Sequence, residues 1–128
     1  MIPNVSTSFV ATTDAAAAEK AIVTTPLDKN HGTATGFVIL TGHINVTPGT
    51  TTSAVVLKFY QGSGLTGTLV KTLTRTLAAT VVGQLAFTIV DTAPIAGLQY
   101  TASITQTAGA AAGTVNDAVL VATAYPQG

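Results

Sequence analysis

The chain has 128 residues, enough for one domain with a core of its own. Only 8% are Asp, Glu, Lys or Arg, against about 25% in an ordinary soluble domain, and five cations cancel five anions. The balance excludes the basic stripe of a nucleic-acid binder. Lys20, Lys29, Lys58, Lys71 and Arg75 are too scattered to hold an anionic membrane surface.

The elements follow in chain order. Residues 1 to 20 read as an extended amino-terminal arm, and residues 21 to 128 as a β-sandwich domain. The arm has no basic segment followed by an apolar run, so it does not resemble a signal peptide. It is uncharged as far as Thr13 and carries Ile2, Val5, Phe9 and Val10. Left free it would be disordered, so these four residues are the expected contact with a neighbouring subunit or with the capsid, by strand addition or apolar packing. Asp14 to Lys20 has the composition of one or two helical turns, with Asp14 as N-cap, too short to stand alone.

Threonine makes up roughly a fifth of the rest, and β-branched side chains favour strands. Ala21 to Thr25 predicts a short strand closed by Pro26, and Leu27 to Thr33 a polar loop. Gly36 to Val46 predicts the longest strand, with Phe37, Ile39 and Thr41 on one face and Val38, Leu40 and Ile44 on the other. Gly42 in its middle signals a bulge or a close backbone approach. Thr47-Pro48-Gly49-Thr50 is a turn. Ala54 to Gln61 follows, with Val55, Leu57 and Phe59 inward and Lys58 and Tyr60 outward.

Gly62 to Gly67 connects to a strand over Thr68 to Thr76, and Ala78 to Gly83 is a loop or slack edge. Gln84 to Val90 alternates, with Leu85, Phe87 and Ile89 inward. Asp91 to Pro94 is a turn in which the Asp side chain bonds nearby backbone. Gln99 to Gln106 alternates through Tyr100, Ala102 and Ile104. Ala108 to Gly113 is a small-residue loop, and Val115 to Ala124 is the last strand. The pattern predicts an all-β chain, an antiparallel β-sandwich of about eight strands with the jelly-roll count. An immunoglobulin sandwich is the rival, but the chain has no tryptophan and no cysteine.

Catalytic patterns are weak. With no cysteine and two histidines, His31 and His43, a zinc set is poorly supported, and no cofactor is expected. Ser63, His43 and Asp91 supply triad residue types, but Gln61 stands where a nucleophile elbow needs its first glycine. Gly62-Ser63-Gly64-Leu65-Thr66-Gly67 fits Gly-x-Gly-x-x-Gly literally. The strand pattern after it contradicts a dinucleotide site, so a hairpin loop is expected. No two acids lie close enough in sequence to suggest paired carboxylate chemistry. The chain reads as a non-enzyme without a small-molecule substrate.

Gly36 to Ala124 resembles small β-sandwich proteins encoded among the structural genes of tailed bacteriophages. The carrying residues are Thr41-Gly42-His43-Ile44-Asn45-Val46-Thr47-Pro48-Gly49-Thr50, Val55-Val56-Leu57-Lys58-Phe59, Gly64-Leu65-Thr66-Gly67, Phe87-Thr88-Ile89-Val90-Asp91, Gln99-Tyr100 and Val119-Leu120-Val121-Ala122. The resemblance covers about two-thirds of the chain and leaves out residues 1 to 20. It implies a virion protein, a jelly-roll decoration or cement protein on the outer capsid surface. Such a protein forms a homotrimer and bridges subunits of the major capsid protein. The alternative is a receptor- or carbohydrate-binding module of a tail fibre or C1q-like assembly. Only Tyr60, Tyr100 and Tyr125 could serve it as tyrosine platforms.

Overall fold

The computed structural model describes residues 4–10, 13–15, 18–26, 35–95, 97, 99–106 and 112–126. Nine strands form among them: β1 (Asn4–Val10), β2 (Thr13–Ala15), β3 (Lys20–Thr24), β4 (Thr35–Thr47), β5 (Ser53–Gln61), β6 (Leu69–Leu77), β7 (Gly83–Asp91), β8 (Tyr100–Gln106) and β9 (Gly113–Pro126). Sheet A has the order β1-β9-β4-β7, with β2 also on β9, and sheet B the order β3-β8-β5-β6. Every pairing is antiparallel. The chain passes from one sheet to the other at each connection after β2 except the β5–β6 hairpin, which makes this a jelly roll.

The count of nine against the expected eight has a simple cause. β1 pairs Asn4 with Ala124 through Val10 with Ala118, and β2 pairs Thr13 with Val115 through Ala15 with Gly113. Both pieces keep one register on β9, so they act as a single interrupted first strand. The segment expected to pack on a neighbour therefore lies, in its described part, in the chain's own sheet. Among the described residues the helical turns expected from Asp14 are not formed. Asp14 sits in β2, Lys20 opens β3, and the described residues between them, Ala18 and Glu19, are not helical. A few alanines cannot outweigh ladder hydrogen bonds to β9, because an isolated turn costs more to nucleate than it returns.

The core lies between the sheets. Val38, Leu40, Ile44 and Val46 of β4 meet Val55, Leu57 and Phe59 of β5, and all are fully buried. Leu85, Phe87 and Ile89 of β7 and Tyr100, Ala102 and Ile104 of β8 point inward as their alternation requires. Phe59 and Phe87 join the two layers in a tilted ring contact, centroids 4.7 Å apart. Each large side chain removed from water there contributes on the order of 1.5–3 kcal/mol.

Gly42 is a close approach and not a bulge, since β4 keeps its register with both neighbours through it. Its φ is +152°, and a Cβ there would lie 1.9 Å from the Val119 carbonyl oxygen and 3.1 Å from the Phe87 ring. The real irregularities of β4 against β9 lie between Thr35 and Phe37 and between Asn45 and Val46.

Candidate functional site

The residues that could have carried chemistry are held in three separate polar clusters. The first closes one end of the sandwich. Asp91, at the end of β7, is 6% exposed. Its Oδ2 accepts from the Tyr100 hydroxyl at 2.7 Å and from Gln61 Nε2 at 2.8 Å, and its Oδ1 accepts from the Ala93 amide at 3.0 Å. The last of these is the turn bond that Asp91-Thr92-Ala93 implied. Burial, and then the hydrogen bond and charge of Asp91, push the Tyr100 hydroxyl far above the usual tyrosine range. The cluster ties β7 of sheet A to β5 and β8 of sheet B, and its lone pairs are taken up by structural partners.

The second cluster lies on sheet B. Glu19 Oε2 accepts from Ser103 Oγ at 2.6 Å and from the Tyr60 hydroxyl at 2.8 Å. The Ser103 bond, against some desolvation, lowers the Glu19 carboxyl, with further help from Tyr60 and from the charge of Lys58. Tyr60 was expected to face outward. It stands outside the core cluster but is only 8% exposed, with its hydroxyl engaged by Glu19. The segment that precedes β3 recruits it, and period-2 alternation alone could not reveal that.

The third cluster is a strip on the outer face of sheet A. His43 Nε2 lies 3.4 Å from Asp117 Oδ1, Asn45 Nδ2 donates to the same oxygen at 2.7 Å, and Thr47 Oγ1 donates to Asn116 Oδ1 at 2.8 Å. The triad residue types are therefore kept apart. His43 is paired with Asp117 mid-sheet, Asp91 is consumed in the end cluster, and Ser63 is exposed in the β5–β6 loop. That loop, Gly62 to Gly67, leads directly into β6 and is the turn of an antiparallel hairpin. His31 and Asp28 lie outside the described residues. Among the described residues no three metal-ligating side chains come together.

What remains is surface, and its two faces differ. Beyond the polar strip of His43, Asn45 and Asp117, the outward positions of sheet A are Phe37, Ile39 and Thr41 on β4, Val119, Val121, Thr123 and Tyr125 on β9, and Gln84, Ala86, Thr88 and Val90 on the edge strand β7. Phe37 stacks on Tyr125, with centroids 4.8 Å apart and planes 11° from parallel. Val90 is 51% exposed and Phe37 38%. Asp117 is the one carboxylate among the described side chains of this face, and none of them is a lysine or arginine. The described cations all lie on strands of sheet B: Lys20 on β3, Lys58 on β5, Lys71 and Arg75 on β6. The outer face of sheet B is rich in hydroxyls, among them the exposed Thr72, Thr74 and Thr76.

The expected contact residues fall as follows. Val5, Phe9 and Val10 are in β1, registered with Thr123, Val119 and Ala118, and Ile2 lies outside the described residues. β1 thus lies alongside β9, at the border of the same apolar sheet. Sequence reasoning missed the sheet A face itself. A signal was present in Phe37, Ile39, Val119, Val121 and Tyr125, which are apolar or aromatic residues at the positions alternate to the core.

No protein-family model matches the chain, and no curated protein does. Solved structures match in shape. A chain of an infectious bursal disease virus particle superposes with a TM-score of 0.71 at 13% identity, over 99% of this chain and 33% of that one. A tumour-necrosis-factor protein, Eiger from S. frugiperda, gives 0.61 at 8% identity over 100% and 96% of the two chains. A subunit of the disulfide-linked pili that form Bacillus endospore appendages gives 0.51 at 24% identity over 97% and 90%. The chain spans about a third of the length of the bursal disease virus chains it matches. What these proteins share with it is the all-β jelly roll.

Proposed function

We propose that this chain is a structural protein of a virion, a decoration protein that stabilises a capsid by bridging neighbouring subunits of the major capsid protein, acting as a homotrimer on the outer surface. The observation that carries the reading is the outer face of sheet A. It is a broad strip of Phe, Ile, Val, Tyr and Thr, with a polar patch of His43, Asn45 and a single described carboxylate, Asp117, on a chain whose net charge is zero. A lone molecule with that face exposed has little charge to keep copies apart, whereas a permanent interface is depleted in charge at its centre. The jelly-roll likeness to a viral particle chain supports the same reading, as does the resemblance to tailed-phage structural proteins. In this arrangement sheet A packs on the shell, sheet B with its threonines meets solvent, and the amino-terminal segment at the border of sheet A reaches the neighbour. No catalytic role is assigned.

The test is binding to undecorated particles. Ile39→Lys combined with Val119→Lys places two charges on the sheet A face, not opposite one another, without entering the core. We expect particle binding, read by electron microscopy and co-sedimentation, to fall at least tenfold while the melting temperature holds. Retained binding by this variant, together with loss of binding by a Thr72→Lys, Thr76→Lys variant of sheet B, overturns the reading.

A further inference from the structure

The four edges of the sandwich are built differently. Sheet B protects both of its own. β6 carries Lys71 and Arg75 opposite the inward-facing Phe59 and Val55, so its charges point toward the core side, and its pairing with β5 is interrupted between Phe59 and Tyr60. β3 is five residues long, begins with Lys20 and is irregular between Ala21 and Val23. Short length, bulges and inward charges are the devices by which edge strands avoid pairing with another chain.

On sheet A only the three-residue β2, with Asp14, is guarded in this way, and β7 and β1 are not. β7 runs nine residues from Gly83 to Asp91 in unbroken register with β4, without proline, and its one charge is buried in the end cluster. β1 is Asn-Val-Ser-Thr-Ser-Phe-Val, seven residues in unbroken register with β9, again without charge or proline. Among the described residues each of the two pairs on one side only. Beside β7 a cavity of about 230 Å³ opens between the sheets, lined by Leu73 and Arg75 of β6 and by Leu85 and Phe87 of β7. Along the order β1-β9-β4-β7 the strands alternate in direction. A second copy placed at the β7 edge in the same sense therefore presents its β1 antiparallel to β7.

We infer that β1 of one copy pairs with β7 of the next, extending sheet A from molecule to molecule and covering the cavity beside β7. The two edges are unlike, so the contact is head-to-tail and closes into a ring when the rotation per step allows it, with three copies in the trimer proposed above. This goes further than that proposal by naming how the amino-terminal segment meets its neighbour, and to that extent rests on it.

The chain has no cysteine, so engineered ones report without background. Thr88→Cys protein is mixed with Ser6→Cys or with Thr7→Cys protein and oxidised. We expect a cross-linked heterodimer with one of the two partners and no Thr88→Cys homodimer. In parallel, Thr88→Lys is expected to reduce wild-type oligomers to monomer in sedimentation velocity while keeping the far-ultraviolet circular dichroism, and Thr74→Lys on β6 is expected to leave the oligomer intact. A Thr88→Cys homodimer means a two-fold β7–β7 contact and overturns the inference. So does a wild-type protein that stays monomeric at millimolar concentration, or equal disruption by Thr74→Lys. An open series of masses in place of a trimer, or no particle binding by a protein that does cross-link, would count against the proposed function while leaving the edge contact standing.

Discussion

Gly42 has no room for a side chain: the Val119 carbonyl stands where a Cβ would go, and the φ of +152° is one that other residues rarely adopt. Gly42→Ala should cost about 2–4 kcal/mol, read as a fall in the denaturant midpoint. Tyr100 makes a second residue-scale prediction. Its hydroxyl is held protonated by burial and by Asp91, so the folded state resists ionisation that the unfolded chain undergoes near pH 10. A raised tyrosine stabilises below the unfolded value and loses that contribution as pH rises past it. Stability should therefore fall above about pH 10, and Tyr100→Phe should flatten that fall while costing about 1–2 kcal/mol at neutral pH for the lost bond to Asp91. Glu19 works at the other end of the scale. Ser103 lowers its carboxyl, so its contribution is present above the ordinary carboxylate range and disappears as pH drops through the depressed folded value. A Glu19→Gln variant should show a shallower loss of melting temperature on acidification than the wild type.

Among the elements, alternation was readable where large apolar residues recur at every second position. Leu85, Phe87 and Ile89 are separated by Gln84, Ala86, Thr88 and Val90, and β7 lies as that pattern implies. β4 was harder. Phe37, Ile39 and Thr41 are nearly as apolar as Val38, Leu40 and Ile44, so the strand itself does not say which row enters the core. β9 and β7 decide it by their register. The same ambiguity hid the candidate site, because an apolar outer face reads like a second core face. β1 was illegible for another reason. Its partner β9 lies more than a hundred residues away, and nothing local to Val5-Ser6-Thr7-Ser8-Phe9 encodes that pairing. Removing residues 1 to 10 strips seven ladder pairs and uncovers the edge of β9. It should destabilise the fold by about 3 kcal/mol or more, seen as a lower midpoint in urea. A free arm would leave the midpoint unchanged.

For the whole molecule, the division of labour between the sheets matters more than any one cluster. Sheet B carries the described cations and the guarded edges, and sheet A carries the apolar face and the open ones. The chain has no cysteine for a disulfide, so the assembly proposed above rests on strand edges and apolar area. Charge has little part in such contacts, and screening should barely change them. Raising sodium chloride from low to about 0.5 M should leave the oligomer mass unchanged in sedimentation, whereas a salt-bridged assembly would dissociate.

The register of Asn4 with Ala124 sets the first and last strands side by side, so these two residues share one corner of the sandwich. Neighbouring strands lie about 5 Å apart, a gap that a handful of glycines and serines spans. The chain could thus be rejoined there and reopened in the Gly62 to Gly67 loop without reordering either sheet. That loop stands at the same end of the sandwich, because Val38 pairs with both Ala124 and Asp91, and Asp91 holds Gln61 just before the loop.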